Sequence, residues 1–221
     1  MADIFLFFAA VFGGALNAVA GGGSFICLPA LIYAGVPPVS ANATCALALW
    51  PGSLSSTFGY RHELTATGRW LTLLGAVSLL GGLIGAVLLI RTSDTAFLRL
   101  LPWLMLMAAT TFTFGGRLPK SGHPRPTAAV ALLQLAIAVY GGYFGGGMGI
   151  MMLATMTFAG MTDIHEMNAL KSVLAVAING VAIVEFIAAG VIAWPPGVIM
   201  VTGAIAGGYL GASFARKLDP R

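Results

Sequence analysis

Apolar residues run almost without interruption through seven stretches of the chain, at 4–20, 41–60, 70–90, 97–115, 127–143, 169–192 and 196–214. Each is close to the roughly 20 residues that a helix needs to cross the hydrocarbon core of a bilayer. Two shorter apolar runs, 25–34 and 148–160, each follow a glycine cluster. At 1.5 Å per residue these reach only about 15–20 Å, against a core of about 30 Å. The pattern predicts an all-α polytopic membrane protein, in which two short helices either cross or re-enter after a glycine break. The clearest polar interruption is the stretch 117–126.

The two sides of that interruption resemble each other. Gly21-Gly22-Gly23 recurs as Gly145-Gly146-Gly147, Ala34-Gly35 as Ala159-Gly160, and Asn42-Ala43 as Asn168-Ala169. Gly81-Gly82-Leu83-Ile84-Gly85-Ala86 recurs as Gly207-Gly208-Tyr209-Leu210-Gly211-Ala212. The matches keep their order, at offsets of 124 to 126 residues. This reads as an internal repeat of four segments: a first repeat at 1–92, a linking helix and loop at 93–126, and a second repeat at 127–221. With the N-terminus outside and the C-terminus cytoplasmic, nine of the 11 Lys and Arg fall inside and only Arg91 and Arg99 outside, as the positive-inside rule requires. That placement makes the two repeats inverted, an arrangement common among secondary transporters.

Composition sharpens the picture. The chain is 58% hydrophobic and 8% charged, whereas a soluble domain carries about 25% charge, so lipid is the expected surroundings. The net charge of +4 would suggest nucleic acid in a soluble protein, but here the basic residues sit in short loops, and no nucleic-acid partner is expected. Met1-Ala2-Asp3 carries an acid where a signal peptide has bases, so the first run is read as a membrane helix.

Chemistry concentrates at the glycine breaks. In lipid, interrupted backbone is tolerated only where it is buried in protein or lines a cavity. A short helix starting there presents unpaired amides and a positive dipole end, which suits an anion. Gly21, Gly22, Gly23, Gly145, Gly146 and Gly147 are therefore candidate binding residues, the competing reading being tight packing or a sharp turn. Gly81-Gly82-x-x-Gly85 and Gly207-Gly208-x-x-Gly211 lie inside full-length runs with small-xxx-small spacing and are assigned to close helix packing.

Polar residues in the apolar runs complete the candidate site. Ser24 can cap the first short helix and donate to a ligand, while Asn42, Thr44 and Asn168 are either helix caps or ligand contacts. Lys171 either snorkels to the inner surface or points inward as the counter-charge of an anion. Asn179, about two turns further on, shares its face. Ser53, Ser55, Ser56 and Thr57 are loose counterparts in the first half. Glu185 is either an interface residue or a proton carrier. Asp163 and Glu166 have capping-box spacing around His165, read as a solvated loop residue. Cys27 and Cys45 read as small buried apolar residues. The sequence offers no metal-ligand spacing, no Walker-type loop and no defensible set of acid, base and nucleophile, so neither an enzyme nor a cofactor is expected.

These motifs resemble a known family. Gly21-Gly22-Gly23-Ser24-Phe25, Gly35-Val36-Pro37-Pro38, Ala43-Thr44 and Arg61-His62 followed by Trp70 are similar to the first half of the TauE/SafE membrane transporters. Gly145-Gly146-Gly147, Asn168-Ala169-Leu170-Lys171 and the Gly207-Gly208-x-x-Gly211-Ala212 helix are similar to the second half. The resemblance implies transport of sulfite, a sulfonate such as sulfoacetate, or a related small organic anion. The expectation is a secondary transporter or exporter in a bacterial inner membrane, working by alternating access, with H+ or Na+ as a possible coupling ion. The alternative is an anion channel with the same central site.

Overall fold

The computed structural model describes residues 2–20, 22–59, 68–114 and 127–218. Gly21, the Arg61-His62-Glu63 cluster and the polar stretch 117–126 lie outside the described residues. Among the described residues every regular element is a helix: α1 (Ala2–Ala20), α2 (Ser24–Tyr33), α3 (Pro38–Gly59), α4 (Gly68–Arg91), α5 (Asp94–Phe114), α6 (Thr127–Tyr143), α7 (Met148–Phe158), α8 (Ile164–Ala188) and α9 (Trp194–Leu218). α4 and α8 contain spans long and apolar enough to cross a membrane by themselves.

The short helices are as short as the apolar runs require. α2 has 10 residues and α7 has 11, about half of a bilayer core. They end in the same way. Gly35 and Gly160 take φ of +86° and +91°, a left-handed conformation that side chains resist. Val36 N then donates to Leu31 O, and Met161 N to Met156 O, which closes the last turn of each helix.

The helices interlock across the chain. α1 packs along α9 and α6 along α4, the two most extensive pairs. α9 also packs on α3, and α4 on α8. α2 sits against α1 and α3, and α7 against α6 and α8, while α3 and α8 meet each other. The first helix of each half thus lies on the last helix of the other half. α5 stands at the edge, touching α3 and α7, with Leu98, Leu100, Trp103, Leu106 and Met107 exposed. Exposed large apolar side chains also cover α1, α4 and α9, the surface that a lipid solvent favours.

Close approach is what the small residues provide. A Cβ on Gly85 would lie 2.7 Å from Tyr143 N and 2.9 Å from Gly142 C, and one on Gly207 would lie 2.6 Å from Val11 C. Gly81, Gly82 and Gly211 are likewise pressed against facing helices. These stretches do serve helix packing, which in lipid depends on backbone proximity because no hydrophobic drive separates helix from solvent.

Several helix starts differ from the sequence expectation. α3 and α8 begin at Pro38 and Ile164, so Asn42 and Asn168 sit inside their helices and cap nothing. Each preceding turn is polar enough to escape an apolar-run criterion but still helical. The N-cap of α2 is Gly23 with no side-chain cap, so Ser24 is the first helical residue and not the cap. Asp163 does cap α8, accepting from His165 N at 2.7 Å and Glu166 N at 3.4 Å. His165 therefore belongs to the first turn of α8, exposed, and not to a loop. Cys27 and Cys45 are buried free thiols in the apolar core.

Candidate functional site

Both glycine breaks reach the same place. A Cβ built on Gly146 would lie 3.2 Å from Ser24 Oγ, so the start of α2 meets the turn before α7. The breaks differ in backbone. Gly23 keeps a right-handed helical conformation, with φ of −58°. Gly145 and Gly147 take φ of +81° and +77°, which a side chain would oppose. Tyr140 fixes this second turn, its hydroxyl donating to Gly146 O at 2.6 Å. Neither α2 nor α7 has a side-chain cap, although backbone carbonyls of the breaks accept from part of each first turn, Gly22 O from Phe25 N at 3.1 Å and Gly147 O from Ile150 N at 3.2 Å.

A cavity of about 500 Å³ opens beside this meeting point. Ser24, Gly145, Gly147 and Gly149 line it from the two breaks, Asn42 and Ser53 from α3, and Asn168, Lys171 and Asn179 from α8. Lys171 is half-buried, and its Nζ donates to Asn168 Oδ1 at 2.9 Å. The backbone of α7 passes close to the lysine stem, with a Cβ on Gly149 reaching to 3.4 Å from Lys171 Cδ. Among the described residues that line the cavity Lys171 is the one cation, and there is no carboxylate. Neutral amides and hydroxyls around one ammonium match an anion, since a charge taken from water needs a partner and hydrogen bonds.

The cavity is closed at one end. Asn42, Cys45 and Phe144 are buried, Asn168, Lys171 and Ser53 half-buried, and Ala18 and Gly52 exposed. It therefore opens toward the end of the bundle where α3 finishes and α8 begins.

Not every sequence candidate lines it. Gly22, Gly23 and Gly146 are buried in the breaks themselves but outside the lining. Thr44 is fully buried, away from the cavity, and its Oγ1 accepts from Ala193 N at 3.0 Å, tying α3 to the turn before α9. Glu185 lies in the last turn of α8, also outside the lining. Conversely, Asn17 lines the cavity from α1. It is not among the sequence candidates, although an amide inside the apolar run 4–20 is costly in lipid and was a usable signal. Ser53 and Cys45 stand 126 residues before Asn179 and Lys171, so the repeat offset also pointed to them.

Thr44 offers a clean separation of support from binding. Thr44→Val removes the acceptor for Ala193 N but keeps the shape, and is expected to lower stability by about 1–3 kcal/mol. Thr44→Ser, which keeps the oxygen, is expected to lose less. Thermal unfolding in detergent checks the difference.

The profile of the family described as "Sulfite exporter TauE/SafE" matches residues 6–221. A "Probable membrane transporter protein" of Haemophilus influenzae is 33% identical over 207 residues, covering 89% of this chain and 78% of the relative. "Probable membrane transporter protein ORF9" of Sinorhizobium sp is 31% identical, covering 96% and 82%. "Probable membrane transporter protein YfcA" of Escherichia coli K12 is 27% identical, covering 94% and 78%. No solved structure matches the chain.

Proposed function

Since the chain belongs to the TauE/SafE family of membrane transporters, we propose that it carries a small anion across a bacterial inner membrane by alternating access around the central cavity. The substrate is sulfite, a sulfonate such as sulfoacetate, or a related organic anion. The observation that carries this reading is the meeting of two helix starts without side-chain caps beside a single lysine in one cavity. Ser24, Gly145 and Gly147 supply the break, Asn42, Asn168 and Asn179 supply neutral hydrogen bonds, and Lys171 supplies the charge. An ammonium has three donors; with one held by Asn168, two are left for a guest.

The matched packing of α1 on α9 and α6 on α4, and of α9 on α3 and α4 on α8, supports two inverted repeats. With the basic loops inside, the cavity faces the cytoplasm. An inside-negative potential then drives a monovalent anion outward by about 2.3 kcal/mol per 100 mV. Export needs no ATP on this account, and Glu185 is the residue to examine for proton coupling.

The test is a thermal-shift screen of purified protein against sulfite, sulfoacetate, taurine, thiosulfate and simple carboxylates. The transported anion is expected to stabilise the protein by about 2.7 kcal/mol at a concentration of 100 Kd. In proteoliposomes the same anion should show saturable flux and countertransport. Unsaturable conductance would make the protein a channel, and an absence of any stabilising anion would remove the anion reading.

A further inference from the structure

The closed end of the cavity is held by hydrogen bonds between separate helices, and we propose that these bonds form a gate that opens the cavity to the opposite face of the membrane. α3 begins at Pro37-Pro38-Val39, where proline has no side chain to cap a helix. The Val39 amide is instead taken by Asp94 Oδ1 at 2.9 Å, from the first turn of α5. One turn further along α3, Asn42 Nδ2 donates to Tyr143 O at 2.9 Å, at the end of α6. Tyr143 Oη in turn donates to Thr92 Oγ1 at 3.3 Å, in the turn between α4 and α5. Its ring lies 6.0 Å from that of the buried Phe97. The start of α3 is thereby tied to α5, to α6 and, through Tyr143, to the turn between α4 and α5.

These bonds sit where a gate must sit. Asn42 lines the cavity at its buried end, as does Phe144, the residue after Tyr143. All three bonds join separate elements, so the closed end cannot part without breaking them. They also suit reversible opening. The Asp94 contact is charge-assisted, which makes it strong, yet Asp94 is exposed, so water takes the place of the amide when the contact breaks. With the basic loops inside, this is the outer gate, and the structure is open to the inside.

The inference rests on the alternating-access reading, but accessibility reports the gate whether or not an anion moves. Ala46 lines the cavity on α3 and makes a suitable reporter. The reporter protein carries Ala46→Cys with Cys27→Ala and Cys45→Ala, and a membrane-impermeant methanethiosulfonate is added to either face of reconstituted vesicles. Labelling is expected to be fast from the open side and slow from the gated side. Asp94→Ala combined with Tyr143→Phe is expected to raise the gated-side rate about tenfold or more. Asp94→Asn, which keeps an acceptor oxygen, should raise it far less.

An unchanged gated-side rate with open-side labelling intact overturns the gate. If the double variant loses open-side labelling and so fails to fold, Thr92→Val is read instead, which removes the acceptor of Tyr143 together with the bond from Thr92 Oγ1 to Leu88 O within its own helix end. A smaller rise supports the gate and no rise overturns it. A protein with intact gating but no anion flux would defeat the proposed substrate and leave the gate standing.

Discussion

Lys171→Ala is expected to cut anion flux about ten- to a hundredfold below saturation, while the protein remains folded. The ammonium is the single cation among the described residues lining the cavity. A hydrogen bond to a charged group is worth about 1.5–3 kcal/mol, and 1.4 kcal/mol is a factor of ten in binding. Stability should move the other way or not at all, because Lys171 is half-buried and its ammonium donates to the neutral Asn168. Lys171→Arg keeps the charge but not the compact ammonium, so it should retain only part of the flux. The measurement is uptake of labelled anion into proteoliposomes, with a thermal melt alongside. Flux at the wild-type level in the alanine variant removes Lys171 from the site. Flux and stability lost together make the residue structural.

The other large effect concerns assembly. Gly207→Ala and Gly85→Ala are expected to destabilise by at least about 1–3 kcal/mol each, the usual cost of overpacking, and a branched residue should abolish folding. In both cases the new Cβ meets backbone of the facing helix, Val11 on α1 for Gly207 and the Gly142–Tyr143 peptide of α6 for Gly85. No rotamer change relieves that contact, so the helices must separate along the two most extensive pairs of the fold. Gly75 is the control. It lies within α4 with nothing within 4 Å of its Cβ position, so Gly75→Ala should be neutral or mildly stabilising, by up to about 1 kcal/mol. Thermal melts in detergent decide the matter. Equal midpoints for Gly85→Ala, Gly207→Ala and Gly75→Ala would show that the close contacts do not hold the bundle together.

Lys171 belongs to the site, whereas Gly85 and Gly207 belong to the scaffold. Gly81, Gly82 and Gly85 belong wholly to the scaffold, as their spacing inside a long apolar run already indicated. Thr44 shows the opposite case. Its place two residues after Asn42 at a helix start made it a candidate cap or ligand contact, yet its oxygen is used by the amide of Ala193, 149 residues away.

By itself the sequence determined that this is an all-helical chain suited to lipid, the apolar body of each helix, where two of them break, and which lysine stands inside an apolar segment. Those properties are local: run length, glycine placement and the cost of charge in hydrocarbon act over a few turns of chain. Only the tertiary structure decided that Ser24 meets Gly146, that Asn17 joins the same cavity, and that Thr44 does not. It also decided that Asp94 caps a helix 55 residues away. A proline-led helix start needs an acceptor, but nothing along the chain says which helix will supply one. That choice is made by packing, when interlocked halves bring distant polar groups to within 3 Å in surroundings that leave them few other partners.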